Sequence, residues 1–305
     1  MQNIRSNKTF AGALLVGIAA TLWGFDGVFL TPKLSNLDVV FVVFALHLIP
    51  FLIMNLFFFK EYHYLSKFTK SDYIWFTLIA LSGGAIGTIA IVKALFLIKF
   101  QALSVVVLLQ KLQPVFAIVL AIFILGEKPK KQFYLYASIA LTASYFLTFG
   151  LNTPSFSDDY ESILAILLSL LAAFSFGAST VFSRKVLYKY PFQVSTFFRY
   201  GFSSIVLFVF FILIGDYQAL EKASQTNWLY LFIISATTGS GAIFIYYYGL
   251  RKIKASVATF AELMFPVSAI FFDYLINGKI LSPIQWIAAI ILMLSILKIS
   301  ISNRH

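Results

Sequence analysis

Ten runs of about twenty apolar residues dominate this chain, and hardly any soluble fold can accommodate them. Broken at charges and at Pro/Gly clusters, they fall at 10–31, 38–59, 73–92, 103–125, 132–150, 161–182, 192–214, 227–249, 256–276 and 283–301. About 20 apolar residues are what an α-helix needs to cross the hydrocarbon core of a bilayer. Composition agrees: of 305 residues, 60% are apolar and 11% charged, against about 25% charged in a soluble domain. A soluble globule of this size could not hide 35 Phe beside the Leu and Ile. The expected fold class is all-α integral membrane, with ten transmembrane helices. Only about 100 residues remain for nine loops and two tails. No loop can be a domain, so any function belongs inside the bundle or at its mouths.

The net charge of +11, from 23 Lys+Arg against 12 Asp+Glu, would suggest nucleic-acid binding in a soluble protein. In a membrane protein it reports topology, because cations concentrate in cytoplasmic loops. With the first residues inside, the inner segments hold Arg5, Lys8, Lys60, Lys67, Lys70, Lys128, Lys130, Lys131, Arg184, Lys185, Lys189, Arg251, Lys252, Lys254, Lys298 and Arg304. The outer ones hold Lys33, Lys93, Lys99, Lys222 and Lys279, with the acidic Asp158, Asp159, Glu161, Asp216 and Glu221. A split of 16 to 5 predicts both termini in the cytoplasm and a cell (inner) membrane location. The first apolar run follows Arg5 and Lys8 as in a signal peptide, but it is too long and lacks a cleavage site. It is expected to remain as a helix. The Asn7-Lys8-Thr9 sequon falls on the cytoplasmic side and is read as chance. Absence of Cys excludes disulfides, thiolate metal sites and Cys nucleophiles.

The two halves repeat each other. Ala19-Ala20-Thr21-Leu22-Trp23-Gly24 matches Ala172-Ala173-Phe174-Ser175-Phe176-Gly177 at an offset of 153. At an offset of 152, Gly83 and Gly87 match Ser235 and Gly239, Pro114 matches Pro266, and Gly126-Glu127 matches Gly278-Lys279. The same offset sets His47 on Arg199. Ordered matches at one spacing indicate duplication. The expected repeats are residues 1–151 and 152–305. Each holds five spans, an odd number, so the second half starts on the opposite side of the membrane. Such inverted repeats are typical of secondary transporters, with the substrate near the midplane between the halves.

Two five-helix halves, Trp23-Gly24 in the first helix and Leu125-Gly126-Glu127 after a Pro-containing fourth resemble the EamA type of the drug/metabolite transporter superfamily. The likeness spans essentially the whole chain. It implies helices 1–4 and 6–9 around a central cavity, with helices 5 and 10 at the periphery. It also implies transport of small metabolites, amino acids among them and often outward, without ATP. Arg199 keeps the Arg that this family often places in the second helix of each half, whereas His47 departs from it. Lys279 and Asp26 depart likewise, from Glu and from a neutral polar residue.

Ionisable side chains within the spans cost at least about 2.5–3.5 kcal/mol each to insert and are expected to face a partner or water. Lys111 lies mid-span in Leu109-Gln110-Lys111-Leu112-Gln113-Pro114, where Pro114 frees a carbonyl close to Gln110. Glu262 occupies the equivalent turn before Pro266. A cation and an anion on opposed walls suit a zwitterion; the competing readings are that they pair with each other or that Glu262 carries a proton. Asp26, between Gly24 and Gly27, is read either as a coupling carboxylate or as reaching the outer interface. His47 is a proton relay or an interhelical hydrogen-bonding residue. Arg199 is a pathway cation or half of an ion pair, and Asp273 is read as solvated. Trp23, Phe25 and one or two of Tyr246, Tyr247 and Tyr248 are candidates for the cavity wall, Tyr247 foremost, although packing is the alternative for each. Gly83, Gly84, Gly87, Gly239 and Gly241 permit close helix contact.

No P-loop, G-x-S-x-G or H-E-x-x-H motif occurs, so no nucleotide engine or hydrolase is encoded. No catalytic residues, cofactors, metal or nucleic-acid partner are expected, and a monomer in the lipid bilayer is the expected unit. The leading function is alternating-access transport of a small polar metabolite, an amino acid or similar zwitterion first, with export favoured. A nucleoside-like or cationic metabolite is the alternative within transport. A lipid-carrier flippase or membrane-embedded enzyme is the alternative in another class.

Overall fold

The computed structural model describes residues 2–98, 106, 109–152, 160–278 and 280–302, with backbone alone for 2–8 and 302. Lys99, Asp158, Asp159, Lys279, Arg304 and most of the first half of the fourth span lie outside the described residues. Besides a short helix, Ala219–Lys222, in one loop, ten long helices make up most of the described chain. They are α1 (Gln2–Phe25), α2 (Val39–Phe58), α3 (Lys70–Leu97), α4 (Gln113–Leu125), α5 (Lys131–Phe149), α6 (Tyr160–Leu187), α7 (Phe192–Ile214), α8 (Gln225–Leu250), α9 (Ala255–Asn277) and α10 (Pro283–Ser302). Eight candidate spans are long and apolar enough to cross a membrane, and α4 is a shorter apolar helix. α1 ends in a π-helical turn, Asp26–Leu30, and a 3-10 turn, Thr31–Leu34. α2 runs on into a 3-10 segment, Phe59–Lys67.

The helices pack as a duplication requires. α1 lies against α8 and α9, and α6 lies against α3 and α4. α2 meets α7, α4 meets α9, and α5 meets α10, so each of these pairs joins a helix to its own repeat-mate. The protein is an all-α membrane bundle of two inverted five-helix repeats, with α5 and α10 outside the rest. Large apolar side chains such as Leu56, Phe123 and Leu213 point outward, as they should in lipid. Lipid is as apolar as the interior, so helix association depends on close packing and interhelical hydrogen bonds. α6 and α7 accordingly bury Ser175, Ser179, Thr180, Ser183, Thr196 and Ser203.

The repeated Gly has a specific reason. A Cβ on Gly177 would stand 2.9 Å from the Gln113 carbonyl, and one on Gly24 2.8 Å from the Phe265 carbonyl. Those carbonyls belong to the residues before Pro114 and Pro266. Each half thus seats a bare helix backbone against the Pro-containing turn of the other pair. Gly126 and Gly278 end α4 and α9 with φ of 66° and 68°, the left-handed termination for which glycine is the cheapest residue.

Three π-helical turns interrupt the spans: Asp26–Leu30, Ala80–Ile86 in α3 and Ser235–Gly239 in α8. A hydroxyl five residues on takes up a carbonyl in the last two. Thr88 Oγ1 donates to Gly83 O at 2.7 Å, and Ser240 Oγ donates to Ser235 O at 2.6 Å. Thr88 and Ser240 are themselves 152 apart. All three turns border the central cavity, where such bulges are commonly functional.

Candidate functional site

A cavity of about 420 Å³ lies between the two halves, within the roughly 300–1,000 Å³ typical of small-molecule sites. At one end it is lined by Ser183, Thr259 and Tyr246. From there it passes the middle of the bundle toward Thr31, Leu95, Thr148 and Gln285, at the ends of α1, α3 and α5 and the start of α10. That end is the face opposite the one where α1 begins and α10 ends.

Two broken helices flank it. The α-helical pattern lapses at Lys111–Leu112 ahead of α4 and at Glu262–Leu263 within α9. Pro266 has no N–H to give to Glu262 O, and that carbonyl accepts from Phe265 N at 2.9 Å instead, tightening the turn. Gln110, Lys111, Gln113, Pro114, Glu262, Leu263, Phe265 and Pro266 all line the cavity.

The two charges in these turns do not pair with each other. The Lys111 ammonium, 4% exposed, donates to Ser144 O at 2.9 Å and to Thr148 Oγ1, both on α5. Glu262 Oε1 accepts from Tyr246 Oη at 2.8 Å and Thr180 Oγ1 at 3.3 Å, while Oε2 accepts from Gln113 Nε2. The peripheral α5 thus holds the cation, and α4, α6 and α8 hold the anion. Ion pairs among the described residues occur elsewhere, as Lys189–Asp72 and Lys222–Asp216.

His47 and Arg199 both reach the cavity wall from α2 and α7. Arg199 Nη1 donates to Tyr247 Oη at 3.2 Å and Ser179 Oγ at 3.4 Å, and among the described residues no carboxylate lies within ion-pair distance. The ion-pair reading of Arg199 therefore gives way to a cation held by hydroxyls. Asp26 lines the cavity at the start of its π-helical turn and accepts from Thr31 Oγ1 at 3.1 Å.

Of the expected aromatics, Trp23 lines the cavity, its ring 5.4 Å from Tyr246. Phe25 and Tyr247 do not. Phe25 turns away onto Phe29 and Phe272. Tyr247 is fully buried behind the wall, where its hydroxyl bonds Ser183 at 2.6 Å and braces Arg199. Tyr246 lines the wall in its place, while Tyr248 packs at a tilt against Phe192 outside. Residues that the charge survey passed over include Phe176, Thr180, Gln113 and Tyr200. The repeat was a signal for two of them: Phe176 stands on Trp23 and Thr180 on Gly27 at the 153 offset, and all four line the site.

Known proteins agree with this architecture. A solved crystal structure covering 95% of its own chain and 94% of this one superposes with a TM-score of 0.67 at 17% identity, which speaks to the fold. A Fusobacterium nucleatum protein named riboflavin transporter ImpX is 49% identical over 293 residues, 96% of this chain and 98% of that one. A Synechocystis protein named uncharacterized transporter sll1164 is 26% identical, over 80% of this chain and 70% of its own. One from Bacillus subtilis, uncharacterized transporter YwfM, is 23% identical over 76% and 69%. The family model of EamA-like transporters matches twice, over residues 10–149 and 163–301. Two matches in tandem are what the internal repeat requires, and the chain belongs to the EamA-like transporter family.

Proposed function

We propose that this transporter carries riboflavin or a closely related flavin through the central cavity by alternating access. The observation that carries the reading is the 49% identity, over nearly the full length of both chains, to a protein named a riboflavin transporter. The site's chemistry supports it. Riboflavin is an uncharged fused heteroaromatic ring with a polyol tail. Trp23, Phe176, Tyr200, Tyr246 and Phe265 offer aromatic walls, and Gln110, Gln113, Thr180 and Thr259 offer neutral hydrogen bonds. Lys111 and Glu262 each already have protein partners, so a neutral ligand need not compensate either charge. The nucleoside-like alternative lies close to this reading, and the amino-acid reading becomes its competitor.

The transport cycle follows from the geometry. Substrate enters the cavity from one face and packs between the two broken helices. Those turns lack a full set of helical bonds and supply flexible points about which the halves rock. Sixteen cations against five support both termini in the cytoplasm of a cell membrane, so the end of the cavity at Thr31 and Gln285 would be the outer one. The cavity lies within one chain, so a monomer suffices.

Purified protein in liposomes should give saturable riboflavin flux, read by flavin fluorescence, that excess amino acids do not inhibit. Flux of amino acids with none of riboflavin would replace this reading by the zwitterion one.

A further inference from the structure

His47 and Arg199 stand 152 residues apart, at equivalent places in the two repeats, on the mated helices α2 and α7. Both line the cavity, at 7% and 8% exposure. Their hydrogen-bonding chemistry is complementary. His47 Nδ1 lies 2.9 Å from Val43 O. A carbonyl only accepts, so Nδ1 carries the hydrogen and Nε2 of the neutral ring is an acceptor. Among the described residues Nε2 has no hydrogen-bond partner. Arg199 can only donate. Its Nη1 is engaged by Tyr247 and Ser179 and its Nε is buried away from the cavity, whereas Nη2 has no hydrogen-bond partner among the described residues and is the donor left for a ligand. Gly83 leaves room for the hydroxyl that holds the guanidinium, since a Cβ there would stand 2.2 Å from Ser179 Oγ.

Two mated helices therefore present one spare acceptor and one spare donor to the same cavity, between aromatic walls. We infer that His47 and Arg199 together read the amide edge of a heteroaromatic substrate, His47 Nε2 accepting its ring N–H and Arg199 donating to the adjacent carbonyl. This rests on the flavin reading, since the flavin ring carries such a C(=O)–NH–C(=O) edge. It makes the pair specificity-determining: aromatic stacking accepts many flat rings, whereas a spare donor and acceptor left unmatched in a desolvated wall reject those without the edge. Neither residue needs to change charge for this. Tyr247 acts as a positioning residue that holds the guanidinium.

The test compares riboflavin with its N3-methyl derivative, which keeps the ring and tail but replaces the N–H by a methyl group. Binding is read by quenching of flavin fluorescence with the purified full-length protein. Wild type should bind the methylated compound about tenfold more weakly, the value of one unmade neutral hydrogen bond. In His47→Phe, which keeps an aromatic ring without the acceptor, the two ligands should bind within about twofold. Each ratio is taken within one preparation, so a fall in yield does not disturb it. Equal binding by wild type would overturn the inference and leave the flavin reading standing. A tenfold preference that survived His47→Phe would also overturn it, by assigning the edge to other residues. Failure of wild type to bind either flavin would sink the flavin reading and the inference with it.

Discussion

Gly24 and Gly177 meet the same kind of carbonyl one repeat apart, whereas Lys111 and Glu262, beside those carbonyls, meet nothing alike. The glycines and prolines of the two halves do the same mechanical work, pressing α1 onto α9 and α6 onto α4. The charges beside those carbonyls are not duplicated. The cation ahead of α4 is tied to α5, and the anion of α9 to α4, α6 and α8. Inverted symmetry thus fixes where helices break, and divergence decides what faces the cavity.

The ends of α4 and α9 sharpen the contrast. Glu127, just past the α4 terminus, accepts from Ala255 N at 2.7 Å, Ser256 N at 3.2 Å and Ser256 Oγ at 2.5 Å. It caps α9, a carboxylate on a helix N-terminus, at the face where α1 begins and α10 ends. Lys279 holds the repeat position, and a lysine cannot accept a hydrogen bond. Glu127→Ala orphans three donors in a buried site and is expected to cost on the order of 3 kcal/mol or more. It should lower the thermal midpoint in detergent and let solute reach the cavity from the face that carries the termini. A midpoint equal to wild type would mean that water replaces the carboxylate and that the cap does not hold this face shut.

The glycine pair comes next. Gly24→Ala places a methyl 2.8 Å from the Phe265 carbonyl, and Gly177→Ala places one 2.9 Å from the Gln113 carbonyl. Each should destabilise by about 1–3 kcal/mol through forced separation of the helices. Thermal unfolding of the two variants should agree within about 1 kcal/mol. One harmless variant beside one that fails to fold would break the mechanical equivalence of the halves.

These glycines also show what the sequence made legible. Apolar runs located the ten helices, and a shared offset located these glycines, the Pro-containing turns beside Lys111 and Glu262 and the mated pair His47 and Arg199. The π-helical turns were legible only in part: each contains glycine, Gly27, Gly83-Gly84 or Gly239, but a glycine in a membrane helix reads equally as a close helix contact. The partners of Lys111 were hidden for another reason. Ser144 and Thr148 lie on α5, and only three-dimensional packing brings that outer helix to the cavity. Tyr246 and Tyr247 are adjacent in sequence yet stand at the wall and behind it, a difference of helical phase that composition does not carry.

The unlike charges give a smaller effect that orders two variants. Removing the Lys111 amine in Lys111→Met leaves Ser144 O still bonded by Thr148 Oγ1 at 3.0 Å, so no acceptor is orphaned. Flavin affinity should stay within about threefold of wild type. Glu262→Ala strips the acceptor shared by Tyr246, Thr180 and Gln113 and should weaken flavin binding about tenfold. Both are read by fluorescence quenching. The reverse order, with Lys111→Met losing binding and Glu262→Ala keeping it, would favour a substrate that brings a carboxylate to Lys111.

The smallest expected effect concerns two loop clasps that the repeat also relates. At the start of α3, Asp72 accepts from Thr69 N, Thr69 Oγ1 and Tyr190 Oη, and pairs with Lys189 at 2.5 Å. At the start of α8, Asn227 accepts from Ser224 N and Oγ, and exchanges amide bonds with Asn36 at 3.0 and 3.2 Å. One clasp is ionic and the other neutral. Lys189 is 48% exposed, so its pair is screened, and Lys189→Met should cost only about 0.2–1 kcal/mol. Its hydrogen bond to Asp72 holds the ammonium above the ordinary lysine range. The stabilisation is then present below that range, is lost only as pH rises through the raised value, and stays constant through neutrality. Added salt should erase the difference in thermal midpoint between wild type and Lys189→Met, bringing the ionic clasp down to the level of the neutral one. A difference that persists in high salt would mean that Lys189 holds the loop by its stem over the Tyr190 ring, 5.1 Å from the ammonium, and that charge adds nothing the Asn pair lacks.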